Sequence, residues 1–343
     1  MPDAEFQAIR AAGGDGEAAA AIVESTTPPT FAARSYFAMQ AIAGAVWWIA
    51  VFASSDVRRW TLGSWSHELL AGPDIVLFVL ASAVVASTSN RHVAVACGLW
   101  TTGVTVALVA VALSRQQAGW GALMMTLATI GTIAATATLW FGGLPRQWFF
   151  IGPFAFRAAG DSGRSRHVRD GLTQLVVFWM TFLVVLPLLL DWAEVRIRID
   201  WPALQAARLG VVGLVVFVVG SAVGITSCFA MTIFGDGTPL PSKTARKLVV
   251  LGPYRIVRNP MAVAGATQTI GVGLVLGSWT VIVSALAGSA LWNFFIRPDE
   301  EADLLTRFGT AYADYAQQVR CWIPRLRPVP TMSGPARPSN SAR

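Results

Sequence analysis

Eight long runs of apolar residues constrain the fold of this chain more than any other feature of its sequence. They cover residues 36–54, 73–89, 93–113, 120–142, 172–190, 209–234, 261–277 and 279–296. About 20 helical residues cross the hydrocarbon core of a bilayer, roughly 30 Å thick. Because 54% of the residues are hydrophobic and only 13% are charged, an ordinary soluble domain is excluded. The runs predict an all-α, polytopic transmembrane helical bundle of about eight spans.

The basic residues indicate an orientation for these spans. The chain has 26 Lys and Arg against 19 Asp and Glu, a net charge of +7. In a membrane protein such an excess marks cytoplasmic loops, so it does not indicate nucleic-acid binding. If both termini are cytoplasmic, 20 of the 26 basic residues fall on that side. We therefore expect an even number of spans and two cytoplasmic termini. The preference for Ala and Arg suggests a bacterial inner membrane.

The runs and the segments between them predict a domain organisation. We expect flexible tails at 1–35 and 328–343, a four-helix membrane module at 36–143 and a basic cytosolic loop at 144–171. The remaining segment, 172–327, would form the functional core. The four-helix module is rich in small residues, which favour close helix packing. It could give access to a substrate, support oligomers or simply enlarge the bundle.

The apolar runs contain few residues of the types on which ion transport or metal binding in membranes depends. Their cores contain no Asp, Glu, Lys, Arg or His, whereas ion-coupled transporters usually place an ionisable residue there. The three histidines lie outside the runs, and the three cysteines lack the short spacing of a metal site. The sequence therefore predicts no metal centre. It favours an enzyme whose polar chemistry lies at the cytosolic face.

Two polar segments, 235–260 and 297–324, flank the last two runs. Those runs are short and meet at Gly277-Ser278, which predicts a tight helical hairpin that brings the two segments together. The first segment offers Tyr254, Arg258 and Asn259 close together. These residues suit a ligand with an anionic end and an aromatic base. A basic loop on the membrane surface is the alternative.

The second segment predicts an amphipathic helix that forms a cytosolic C-terminal helical segment. Pro298 suits a first helical turn, and the acids that follow it complement the helix dipole. At least one of Glu300 and Glu301 should face the buried side, where a carboxylate could bind ribose hydroxyls. Gly309 should divide the helix. One apolar face, laid on the membrane or on the bundle, is formed by Leu304, Phe308, Tyr312, Tyr315 and Val319.

Together, these motifs resemble the integral-membrane isoprenylcysteine carboxyl methyltransferase and phospholipid methyltransferase group. The resemblance covers residues 248–324. It rests on Gly252-Pro253-Tyr254-Arg255 with Arg258-Asn259-Pro260, and on Glu300-Glu301-Ala302-Asp303-Leu304 followed by Phe308-Gly309-Thr310-Ala311-Tyr312. Segment 172–327 would then be a membrane methyltransferase core.

The resemblance implies a cytosol-facing pocket for S-adenosylmethionine and an acceptor, a lipid or a small apolar molecule, that arrives from the bilayer. Glu300 and Glu301 would bind the ribose hydroxyls. Arg258 and Arg297 would orient carboxylate groups of the cofactor or the substrate. The implied cofactor-binding residues are Gly252, Pro253, Tyr254, Arg258, Asn259, Pro260, Glu300 and Glu301. The implied catalytic residues are Arg258, Arg297 and Glu300.

The sequence departs from the family pattern at two positions. The family commonly has His where this chain has Asn259, and Tyr where it has Ala262. Asn can donate a hydrogen bond but cannot act as a base near neutral pH. This favours an acceptor that is already ionised, or a base among Asp299, Glu300 and Glu301.

Two alternatives remain open. Membrane reductases of the sterol reductase type have a similar C-terminal architecture and use NADPH. The Gly252-Pro253-Tyr254 turn and the paired Glu300-Glu301 argue against that reading. A non-enzymatic membrane protein that retains the fold is the other alternative, and Asn259 and Ala262 are its best support.

Overall fold

The computed structural model describes residues 29–143, 164–238 and 245–330, and no β-strand occurs in these ranges. The helices are α1 (Pro29–Ala53), α2 (Ser55–Thr61), α3 (His67–Thr88), α4 (Arg91–Arg115), α5 (Gly119–Phe141), α6 (Arg164–Trp179, continued by Met180–Val185 and Leu186–Arg196), α7 (Pro202–Ala206), α8 (Gly210–Phe234), α9 (Pro260–Leu276), α10 (Trp279–Leu291), α11 (Arg297–Phe308) and α12 (Thr310–Gln318).

Within the described ranges, seven helices are long and apolar enough to cross a membrane, and α9 is a shorter apolar helix of 17 residues. Large apolar side chains remain exposed along them, among them Ile49, Leu99 and Val211. Lipid tails cover such side chains at no cost, while the helices satisfy their own backbone hydrogen bonds. The predicted all-α, polytopic bundle is confirmed, and the chain is an integral membrane protein.

Several element boundaries differ from the predicted ones. Helix α1 begins at Pro29 rather than at residue 36. Near this end, Arg34 Nε donates to the Ala86 carbonyl at 2.7 Å, which fastens α1 to α3. The rest of the predicted tail, residues 1–28, lies outside the described residues. So do residues 144–163 of the predicted basic loop, after which α6 begins at Arg164. At the C-terminus, Val329 is buried, and residues 331–343 are not described.

Residue contacts divide the chain into two compact units. Among the described residues, one unit contains 29–143 and Trp192–Asp200, and the other contains 164–191, 201–238 and 245–330. We refer to them as the N-terminal unit and the C-terminal unit.

The N-terminal unit contains a buried carboxylate within a membrane span. Asp74 lies inside α3 and is 7% exposed. Its Oδ2 accepts from Trp48 Nε1 and its Oδ1 from Trp100 Nε1, each at 2.8 Å. The expectation that the spans have no ionisable residue in their cores is wrong here. Asp74 is the second residue of the predicted run 73–89, but α3 begins earlier, at His67, so Asp74 lies in the interior of the helix. Both oxygens have indole donors, so this carboxylate links α1, α3 and α4.

In the C-terminal unit, helices α8 and α9 approach each other through glycine. A Cβ atom on Gly271 would lie 2.7 Å from both the Gly213 carbonyl oxygen and the Phe217 nitrogen. Gly220 likewise lies against Gln268, whose Nε2 donates to Ser221 Oγ at 3.0 Å. The close approach expected from small residues in membrane helices therefore occurs at this crossing.

Gly271→Ala should push α8 and α9 apart and destabilise the C-terminal unit by about 1–3 kcal/mol, because the new methyl group meets backbone atoms that cannot rotate away. Gly288→Ala is the matched control, since a Cβ there meets nothing within 4 Å. In a helix that exchange is neutral or stabilising by up to about 1 kcal/mol. Thermal melting in one detergent compares the two. Equal melting temperatures would contradict the close approach.

The predicted helical hairpin is confirmed. Gly277 ends α9 with φ +70, a left-handed conformation that favours glycine. Ser278 then caps α10 by accepting from the Val281 amide at 3.4 Å. Because the hairpin reverses the chain direction, the segment before α9 and the segment after α10 lie at the same end of the C-terminal unit.

Two π-helical turns stand just before prolines. The turn Met180–Val185 precedes Pro187, and the turn Trp292–Ile296 precedes Pro298. Proline has no N–H and clashes with the carbonyl four residues earlier in an α-helix, so a wider turn relieves that conflict. The second turn makes the helix continuous from Trp279 to Phe308. Pro298 lies in the first turn of α11, as predicted, and α11 follows the π-helical turn without a break.

Candidate functional site

The site begins with a 3-10 turn, Gly252–Arg255, in the segment between α8 and α9. Gly252 has φ +55, and a Cβ atom there would meet nothing within 4 Å. Conformation rather than crowding therefore requires the glycine, and its backbone is open to a ligand. Pro253 follows at the start of the turn, where its fixed φ suits the geometry.

The Tyr254 side chain is buried beneath this turn. It packs with Ala230, Ala245 and Val249 and is 7% exposed. The Tyr254 carbonyl accepts from Tyr315 Oη at 2.6 Å, which ties the turn to α12. Burial, followed by the nearby Tyr315 and Glu300, raises the pKa of Tyr254 well above its usual value. The hydroxyl is therefore protonated at neutral pH.

Asn259 and Pro260 start helix α9. Asn259 Oδ1 accepts from the Ala262 amide at 3.1 Å, and Pro260 occupies the first helical turn and is buried. Asn is among the best N-cap residues, and Pro is favoured at the next position. The backbone N–H of Asn259 donates to the Cys321 carbonyl at 3.3 Å. The Asn259 oxygen is thus used by the helix.

Three charged side chains converge beside the turn. Arg258 Nη2 lies 3.2 Å and Arg297 Nε 3.5 Å from the same atom, Glu301 Oε1. The side chains of Arg258, Arg297 and Glu301 are 10%, 26% and 18% exposed. We call these three residues the charged cluster. One paired carboxylate does face the buried side, as the helix pattern predicted.

The other predicted carboxylate, Glu300, precedes Glu301 by one residue and is partly buried. Consecutive side chains leave an α-helix about 100° apart, so Glu300 points away from the direction of Glu301. Further along α11, Arg307 donates to Asp303 at 2.6 Å and to the Ala245 carbonyl at 2.7 Å. That arginine, which the sequence interpretation did not single out, fastens α11 to the segment after α8.

Residues 319–330, which we call the C-terminal segment, run back over the 3-10 turn. The Arg258 amide donates to the Arg320 carbonyl at 3.0 Å, and the Val329 amide donates to the Arg255 carbonyl at 3.1 Å. The helix break predicted at Gly309 is confirmed, with φ +54. The predicted apolar face of α11 and α12 packs on protein, in a cluster formed by Val250, Leu304, Phe308, Tyr312, Tyr315, Val319 and Val329.

Two further residues of this region were missed by sequence reasoning. Asn293 Oδ1 accepts from Arg297 Nη1 and from Trp322 Nε1, each at 2.9 Å. Asn293 lies in the predicted apolar run 279–296, where an amide is unusual. That polar interruption is the signal that could have identified it.

The polar groups of this site match those of S-adenosylmethionine in their chemistry. Guanidinium groups can bind its carboxylate, and Glu carboxylates can accept hydrogen bonds from ribose hydroxyls. The open backbone at Gly252 allows close approach. Two of the predicted ligands have other partners, since the Tyr254 ring lies in the core and the Asn259 oxygen caps α9.

Comparison with known proteins gives a partial relative. Over 88 residues the chain is 30% identical to the nickel-cobalt-cadmium resistance protein NccN of Alcaligenes xylosoxydans xylosoxydans. The match covers 25% of this chain and spans about 40% of NccN. Among the residues that the structure describes, no group of three or more His, Cys, Asp or Glu could hold a metal ion.

A family comparison covers the site itself. Residues 209–311 match the family model described as phospholipid methyltransferase. The matched segment runs from α8 to the start of α12 and includes the 3-10 turn and the charged cluster. The resemblance found in the sequence is thereby confirmed, and the segment from α8 to α12 of this integral membrane protein is similar to the phospholipid methyltransferase family.

Proposed function

We propose that the protein is a membrane methyltransferase that transfers a methyl group from S-adenosylmethionine to a lipid or small apolar acceptor at the cytosolic face. The observation that best supports this is the charged cluster Arg258, Arg297 and Glu301, which lies beside the open Gly252 turn inside the family-matched segment. The combination offers cations, a carboxylate and bare backbone to one polar ligand.

The chain's residues would mainly bind and orient the reactants. When bound, S-adenosylmethionine would supply a methyl group from its sulfonium. The acceptor would attack the methyl carbon opposite the sulfur, and a neutral thioether would leave. Arg258 and Arg297 would orient a carboxylate, and Glu300 and Glu301 would accept from hydroxyl groups. Pro253, Tyr254, Asn259 and Pro260 would shape the turn that carries them. Alignment and exclusion of water then provide most of the rate gain.

The surroundings offer few groups that could remove a proton. Burial raises the pKa of Tyr312 and Tyr315, so these hydroxyls stay protonated at neutral pH. Asn259 is not a base. We infer an acceptor that arrives already ionised, or a proton taken up by a carboxylate, for which Glu300 is the first candidate and Asp299 and Glu301 are the others.

The orientation is part of the same proposal. With both termini in the cytoplasm of a bacterial inner membrane, the 3-10 turn and α11 face the cytosol, where S-adenosylmethionine is made available. Segment 172–327 would be the methyltransferase core and 36–143 an attached membrane module. The acceptor would reach the site from the bilayer.

Parallel titrations of the detergent-purified chain with S-adenosylmethionine, S-adenosylhomocysteine and NADPH test the function. We expect saturable heats, or melting shifts, with the two sulfur compounds and none with NADPH. Saturation with NADPH alone would replace the methyltransferase by a reductase. No binding of any of the three would favour a non-enzymatic protein that retains the fold.

A further inference from the structure

Asn293 is a polar side chain near the end of the apolar part of the helix that runs from Trp279 to Phe308. It lies in the π-helical turn Trp292–Ile296, which joins α10 to α11. Its neighbour Phe294 is 65% exposed, as expected for a lipid-facing residue. Single π-helical turns are rare in proteins and are frequent at functional sites, because they change the direction in which side chains leave a helix.

The Asn293 side chain has two donors on different elements. Arg297 Nη1, one helical turn further on, donates to Asn293 Oδ1 at 2.9 Å. Trp322 Nε1, in the C-terminal segment, donates to the same oxygen at 2.9 Å. One amide oxygen therefore connects the membrane helix, the charged cluster and the C-terminal segment.

Both donors are close to the proposed ligand site. Arg297 is the residue whose Nε lies 3.5 Å from Glu301 Oε1. Trp322 directly follows Cys321, whose carbonyl accepts from the Asn259 amide. An arginine side chain has many rotamers, and a second anchor on its guanidinium restricts them. The Asn293 oxygen supplies that anchor at Nη1, whereas Glu301 lies beside Nε.

We propose that Asn293 is a positioning residue: it holds the Arg297 guanidinium toward Glu301 and fastens the C-terminal segment through Trp322, so that ligand binding by the charged cluster depends on it. The inference rests on the proposed function, since it assigns the residue that orders the same site. Asn293 acts through Arg297 and Trp322 and is not itself a catalytic residue.

Three variants of the full chain test this. Asn293→Ala removes the acceptor, Asn293→Asp keeps an acceptor oxygen for both donors, and Phe294→Ala is a matched truncation in the same turn. We expect N293A to weaken S-adenosylmethionine binding about tenfold, the value of one hydrogen bond to a charged group. N293D and F294A should bind like the wild type. All four proteins should melt within a few degrees of one another.

A second measurement does not need the cofactor. Cys321 is buried, and burial together with the Glu301 carboxylate raises the pKa of its thiol to about 11. Its reaction with iodoacetamide, followed by mass spectrometry of the Cys321 peptide, should therefore be slow in the wild type. Loss of the Trp322 anchor should expose the segment, so N293A should react several-fold faster than N293D or F294A.

The outcomes separate the two proposals. If the wild type binds S-adenosylmethionine and N293A binds it equally well, the positioning inference is wrong. An N293D protein as weak as N293A would also overturn it, because the acceptor atom would then not matter. If the wild type does not bind the cofactor, the proposed function fails. An unchanged Cys321 rate in N293A would overturn the inference in either case.

Discussion

Replacing Glu301 by glutamine should weaken S-adenosylmethionine binding about 10- to 100-fold while the helical bundle stays folded. The Glu301 carboxylate is the shared partner of Arg258 and Arg297. A neutral amide no longer compensates their charge, so the guanidinium groups repel each other and leave their positions. A hydrogen bond to a charged group contributes about 1.5–3 kcal/mol, which corresponds to this range of affinity.

Calorimetric titration and melting of the Glu301→Gln variant measure this effect. Asp314→Asn is the matched control, because Asp314 is an exposed acid on α12 in the same C-terminal unit. It removes one negative charge without touching the charged cluster. Equal affinities of the two variants for S-adenosylmethionine would show that the cluster does not bind the cofactor.

Glu300→Gln, measured in parallel, separates the two neighbouring carboxylates. If Glu300 takes up the acceptor's proton, this variant should lower the turnover number and leave the cofactor affinity unchanged. Glu301→Gln should mainly change the affinity. A loss of affinity in Glu300→Gln equal to that in Glu301→Gln would instead place both carboxylates on the cofactor.

The features that could be predicted from the sequence are local ones. Apolar runs predicted the membrane helices because burial in lipid depends on each run's own composition. The break at Gly309 and the turn at Gly277-Ser278 follow from the conformations that single glycines adopt. That at least one of Glu300 and Glu301 faces protein follows from their spacing of one helical turn to Leu304 and Leu305, which pack on the same apolar cluster. None of these needed knowledge of a distant partner.

The features that could not be predicted depend on partners far away in the chain. The Tyr254 ring packs with Ala230 and Ala245, a contact that the sequence pattern did not indicate. Arg307 reaches a backbone carbonyl 62 residues away. Asn293 reaches Trp322, 29 residues away. Sequence spacing does not reveal such contacts, so polar residues within apolar runs were passed over.

Asp74 is the clearest case of this kind, and its replacement by alanine should destabilise the N-terminal unit by about 2–5 kcal/mol. The substitution leaves the buried indole N–H groups of Trp48 and Trp100 without acceptors in a region from which water is excluded. Each unsatisfied buried donor costs about 1–3 kcal/mol. Asp74→Asn keeps one acceptor oxygen and turns an amide N–H toward the other indole, so its loss should be smaller.

Thermal melting in one detergent, followed by circular dichroism, measures these losses. Asp56→Ala is the matched control in the same unit, since Asp56 is 57% exposed in a surface pair with Arg59. Such pairs contribute about 0–1 kcal/mol. If Asp74→Ala were as stable as Asp56→Ala, the Asp74 carboxylate would not contribute to the stability of this span. An intramembrane acid without a structural role is expected to bind or move an ion or substrate, and the module at 36–143 would then need a transport assay.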